Sequence, residues 1–108
     1  MQQVPKTFQE FIKRHPQIGA AYERLSDECQ KSGPLSERER AIAKLGIAAG
    51  SHMEGSVHSQ VRKALDAGLE PNEIRHVITL GLTAIGFPRM MAALSWAEDI
   101  LRMQDIKK

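Results

Sequence analysis

In Glu39-Arg40-Ala41-Ile42-Ala43-Lys44-Leu45-Gly46-Ile47-Ala48-Ala49-Gly50-Ser51-His52-Met53-Glu54-Gly55-Ser56-Val57-His58, one helix ends and another begins. Ala41, Ile42, Leu45, Ala48 and Ala49 recur at spacings of three and four, which is the apolar face of a helix. Gly46 and Gly50 each weaken that helix by about 1 kcal/mol relative to alanine. Close helix packing at 46 and termination at 50 are the expected reasons for keeping them. Beyond the Gly50-Ser51-His52 break, Val57, Val61, Ala64 and Leu65 mark the next apolar face, which stops at Gly68. No other part of the chain gathers as many proton-moving groups as Glu39, Ser51, His52, Glu54 and His58 do here.

The flanking chain repeats the same grammar. Ser36-Glu37-Arg38-Glu39 has the Ser-x-x-Glu spacing of a capping box and starts the helix just described. Thr7-Phe8-Gln9-Glu10 has the same spacing, so a short helix is expected there, with Phe8, Phe11 and Ile12 as its stripe. Pro16 opens a second helix bearing Ile18, Ala21, Tyr22, Leu25 and Cys29, and Gly33-Pro34 ends it. Pro71 opens a fifth helix with Ile74, Val77, Ile78, Gly81 and Ile85 on one face. Leu80 and Leu82 make that helix apolar nearly all round, so a central position is expected for it. Gly86-Phe87-Pro88 breaks the chain again, and a last helix runs from Met90 to about Met103. No segment alternates with period two for long enough to be a strand. The expectation is an all-α fold of about six helices in one domain over 1–108. Within it, 1–33 are N-terminal helices, 35–88 the motif-bearing core and 88–104 the C-terminal helix.

Composition narrows the function. A chain of 108 residues buries roughly two-thirds of its unfolded surface, enough for one core. Fifteen basic residues against thirteen acidic ones leave a net charge of +2 with no basic stripe, and aromatic content is only 5%. Nucleic-acid binding is therefore not expected. No apolar run is long enough to span a bilayer, so no membrane association and a cytoplasmic location are expected. A single cysteine, Cys29, supplies neither a disulfide nor a thiolate metal cage. His52-x-Glu54-x-x-x-His58 matches no strong zinc spacing, so neither metal nor cofactor is expected. The all-round apolar fifth helix and the methionines of the last one exceed what a single small core needs, which points to self-association.

Glu54 and His58, four residues apart, share one helix face. Glu39 on the preceding helix is a further candidate partner for the imidazole. His58 is thus the candidate acid/base, Glu39 and Glu54 the groups that tune it, and Ser51 and His52 candidate substrate contacts at the turn. The plainer readings are an exposed helix pair for Glu54 and His58, capping for Glu39, and an N-cap for Ser51 at the start of the fourth helix.

These markers, followed by Val61-Arg62-Lys63-Ala64-Leu65-x-Ala67-Gly68, Pro71-x-Glu73-Ile74 and Gly86-x-Pro88, resemble the carboxymuconolactone decarboxylase family, which includes alkylhydroperoxidase D. The resemblance runs from Leu35 to Pro88. It implies an alkylhydroperoxidase D-like helical domain whose subunits associate, commonly as trimers or hexamers, with a site near the subunit contacts. In the peroxidase branch a Glu, a Cys-x-x-Cys pair and a His form a relay. Glu39 and His58 hold the outer positions here, but Ser51 and Glu54 replace the cysteines, and Met53 replaces the histidine between them. A serine cannot pass through the thiolate and disulfide states, so thiol peroxidase activity is disfavoured. The decarboxylase branch also lacks the cysteine pair. It implies a lyase acting on a small carbonyl or lactone acid by proton transfer without a cofactor. Arg38, Arg40 and Arg62 are the arginines available to hold a substrate carboxylate. The alternative is a non-catalytic oligomeric or small-ligand-binding module.

Overall fold

The computed structural model describes residues 4–107. It has seven helical segments and no strand among those residues: α1 (Lys6–Arg14), α2 (Pro16–Lys31), α3 (Glu37–Ser51), α4 (Glu54–Asp66), α5 (Pro71–Thr79), α6 (Leu82–Ile85) and α7 (Phe87–Lys107). Six run for nine residues or more, and α6 is a single turn of four. The chain divides into two compact units, Met1–Leu35 and Ser36–Lys108. The boundary follows Gly33-Pro34, the break that the sequence places after its N-terminal helices.

In the first unit, α1 and α2 meet at His15, and Pro16 occupies the first turn of α2, where its missing N–H costs no hydrogen bond. A Cβ on Gly19 would stand 3.0 Å from Ile12 Cδ1, so a larger residue there would have to push the Ile12 side chain aside by a few tenths of an ångström. The capping box expected at Thr7 does not form. The helix already starts at Lys6 with Pro5 as N-cap, which places Thr7 inside the helix, and Gln9 Nε2 donates to Val4 O instead. Phe8, Phe11, Ile18, Tyr22 and Leu25 are exposed.

The second unit holds the core. Leu45, Ala48 and Ala49 of α3, Val57, Val61 and Ala64 of α4, and Ile74 and Ile78 of α5 are buried. Met90, Ala93, Ala97, Ile100 and Leu101 of α7 are buried with them. The central element is α7, which packs against α3, α4, α5 and α6. The fifth helix was expected to be central and is not: it ends at Thr79, Leu80 is 61% exposed, and the chain restarts as α6. Leu80 and Gly81 keep right-handed backbone angles without continuing the helix, and a side chain on Gly81 would meet the Ile78 carbonyl at 3.0 Å. Among the described residues nothing outside its own helix lies within 4 Å of where a Cβ on Gly46 would stand, so the close packing expected there is not seen, and α3 runs on past Gly50 to Ser51.

Candidate functional site

The start of α3 is locked by its capping box. Ser36 Oγ accepts from the Glu39 amide at 3.1 Å, and Glu39 Oε1 accepts from the Ser36 amide at 2.8 Å. The Ser36 backbone amide, which donates to the carboxylate, and next the Ser36 side chain hold the Glu39 carboxyl below its ordinary pKa. One residue earlier, Arg38 pairs with Glu73 at the start of α5 and reaches the Gly68 carbonyl at 3.5 Å. Glu73 in turn closes a box on Glu70, accepting from its amide at 2.8 Å. Glu39 is therefore occupied in holding a helix end, and Arg38 in joining two of them.

At the other end of α3 the chain turns through Ser51, His52 and Met53. Ser51 was expected to cap α4. It is instead the last residue of α3, and its hydroxyl donates to the Ala48 carbonyl at 2.7 Å. His52 is the C-cap, in the left-handed region at φ 58°, the conformation that usually selects glycine. Its ring lies against Trp96 of α7, with centroids 5.5 Å apart. Met53 precedes α4 and offers no side-chain cap. The negative Glu54 in the first turn favourably meets the positive end of the helix.

One turn further, His58 is partly buried, its side chain 22% exposed, on a helix anchored by the buried Val57 and Val61. Its Nε2 lies 3.0 Å from Asp99 Oδ2 and 3.9 Å from Glu54 Oε2. The carboxylates form the rim, with Glu54 59% and Asp99 53% exposed. A carboxylate only accepts, so Nε2 carries the proton it donates to Asp99, and the lone pair of the neutral ring lies on Nδ1. The imidazole is thus oriented across the α4–α7 seam, with a second negative charge one helical turn away.

The five residues singled out in the sequence separate into three groups. Glu54 and His58 come together, Ser51 and His52 form the turn before them, and Glu39 belongs to the opposite end of α3. Asp99 is the partner that sequence reading missed. It lies 41 positions from His58, and in Glu98-Asp99 nothing local marks one acid as facing α4. Glu98 instead takes Arg75 at 2.8 and 3.1 Å, which holds its carboxyl below the ordinary value. Cys29, on α2, is exposed.

Among the described residues no helix is long and apolar enough to cross a membrane. No curated protein and no solved structure gives a match to the chain. The sequence profile described as "Carboxymuconolactone decarboxylase family" matches residues 16–99. That span includes α2 to α6 and all of α7 through Asp99, and so takes in both sides of the His58 seam. On this match the chain belongs to the carboxymuconolactone decarboxylase family.

Proposed function

We propose that the protein is a cofactor-independent proton-transfer enzyme of lyase or isomerase type, acting on a small carbonyl or lactone acid. His58 is the acid/base, Asp99 orients it and Glu54 supplies a second charge. The observation that carries this reading is the 3.0 Å bond from His58 Nε2 to Asp99 across two packed helices. In a decarboxylation, the electrons of the breaking C–C bond pass to the neighbouring carbonyl as carbon dioxide leaves. The enolate then takes a proton at carbon, and an imidazolium held between two carboxylates is suited to deliver it. Ser51 and His52 stand at the turn leading into this face and are proposed substrate contacts. Glu39 acts at the helix end and not at the reacting atoms.

The subunits are proposed to associate. Ile47 and Met53 are 72% and 62% exposed in the second unit, and an assembly would take such apolar surface out of water. His58→Gln is expected to cut turnover of a lactone or 2-oxo acid substrate by about a hundredfold or more. Its sedimentation should match that of the parent oligomer. Full turnover in that variant, or a clean monomer for the parent at micromolar concentration, would contradict the corresponding part of the reading.

The non-catalytic alternative has one observation in its favour: both carboxylates around His58 are more than half exposed. It predicts that a panel of such acids binds the parent protein and is recovered unchanged.

A further inference from the structure

Glu54, His58 and Asp99 each offer one ligand atom, and the three atoms lie within 4.8 Å of one another. We infer that these residues bind a divalent transition-metal cation of the zinc class, and that its occupancy closes the imidazole to other chemistry. The inference goes beyond the proposed reaction and stands whether or not His58 transfers a proton.

Spacing is the first support. Bonds of about 2.0–2.1 Å to imidazole nitrogen and carboxylate oxygen put neighbouring ligands of a tetrahedral ion roughly 3.3 Å apart. Nε2 is 3.0 Å from the Asp99 oxygen and 3.9 Å from the Glu54 oxygen, on either side of that edge, while the widest separation in the trio, up to 4.8 Å, has to close for one ion to be shared. The carboxylates sit on an exposed rim where a small torsional change moves an oxygen by the difference. His58, the least exposed of the three, fixes the point around which they adjust.

Charge and donor type supply the class. Two carboxylates and a neutral imidazole carry −2, which one divalent cation neutralises. An imidazole among the donors selects zinc, cobalt, nickel or copper over magnesium or calcium, which favour oxygen alone. Three protein ligands leave a position for water, so binding is weaker and more exchangeable than in a closed four-ligand cage. For the metal to bind, the proton on Nε2 leaves for solvent or moves to Nδ1.

The helices hold the ligands ready. Glu54 and His58 are one turn apart on α4, and Asp99 precedes the buried Ile100 and Leu101 on α7, which packs directly against α4. The sequence places His52 with Glu54 and His58 as a possible ligand trio. The fold removes His52, whose left-handed backbone sets its ring against Trp96, and puts Asp99 in its place.

Zinc chloride titrated calorimetrically into the untagged full-length chain, freed of metal by dialysis against chelator, tests the site. One saturable ion per chain is expected, with affinity at least tenfold weaker in His58→Gln and in Asp99→Asn. Glu54→Gln changes only a rim residue and keeps the test open if either other variant fails to fold by circular dichroism. Zinc binding unchanged across the folded variants would overturn the inference, since His15, His52 or His76 would then be taking the metal. Zinc binding as expected alongside undiminished turnover in His58→Gln would remove the proton-transfer reading and leave the metal site standing. Absent binding alongside lost turnover would do the reverse.

Discussion

Glu39 and Glu54 each sit in the first turn of a helix, α3 and α4, and the two helix starts differ in the residue just before them. Ser36 precedes α3 and takes Glu39 into a reciprocal cap, which uses both the glutamate and the serine. Met53 precedes α4 and has nothing to offer, so the Glu54 carboxylate stays free to face His58 one turn on. A carboxylate with a nearby amide to satisfy becomes part of the scaffold, while one without such a partner remains open to chemistry. The same contrast separates the neighbouring acids Glu98 and Asp99, of which the first is held by Arg75 and the second meets the imidazole.

Asp99→Asn should give the largest difference between the two regions. It leaves the fold in place but replaces the acceptor that fixes the ring, and turnover is expected to fall about tenfold or more. Urea unfolding should change little, since Asp99 is on the exposed rim. A variant that keeps its activity would make Asp99 no more functional than Glu39. Ser36→Ala reverses the pattern: loss of the cap lowers stability by about 1 kcal/mol and leaves turnover alone. If Ser36→Ala instead impaired turnover, the α3 start would have to be returned to the site.

The smallest expected effect is acid sensitivity. Glu39 and Glu98 have carboxyl pKa values lowered in the folded chain, so they add stability that is present above the ordinary carboxylate value of 4.5. That stability is lost as pH falls through their depressed folded values. Glu39→Gln should therefore flatten part of the decline in unfolding free energy below about pH 4.5. An identical acid profile in that variant would show that the cap carries no charge-dependent stabilisation.

Much of the fold was legible because its signals are local. Ser36 with Glu39, Pro16, Pro71 and the Gly86-x-Pro88 break each mark a helix boundary within four residues, and the structure has those boundaries. Apolar spacing correctly placed Leu45, Ala48, Ala49, Val57, Val61, Ile74 and Ile78 in the core. Two kinds of feature escaped. Whether an apolar residue lies under a neighbour depends on which helix ends up central, so Leu80 read as core and is exposed, while α7 proved the hub. At the site, Glu54 and His58 were readable from their spacing of four. Asp99 was not, because contacts across 41 positions are made by packing and leave no trace in local pattern.

The central claim is that Asp99 fixes the proton on Nε2 of His58 and leaves Nδ1 as the basic nitrogen. Long-range proton–nitrogen correlation NMR of the imidazole rings, assigned to His58 by comparison with His58→Gln, tests it directly near neutral pH. The account predicts that the neutral His58 ring carries its proton on Nε2, and that this preference weakens in Asp99→Asn. A ring protonated on Nδ1, or one whose tautomer ignores the loss of the Asp99 carboxylate, would contradict it.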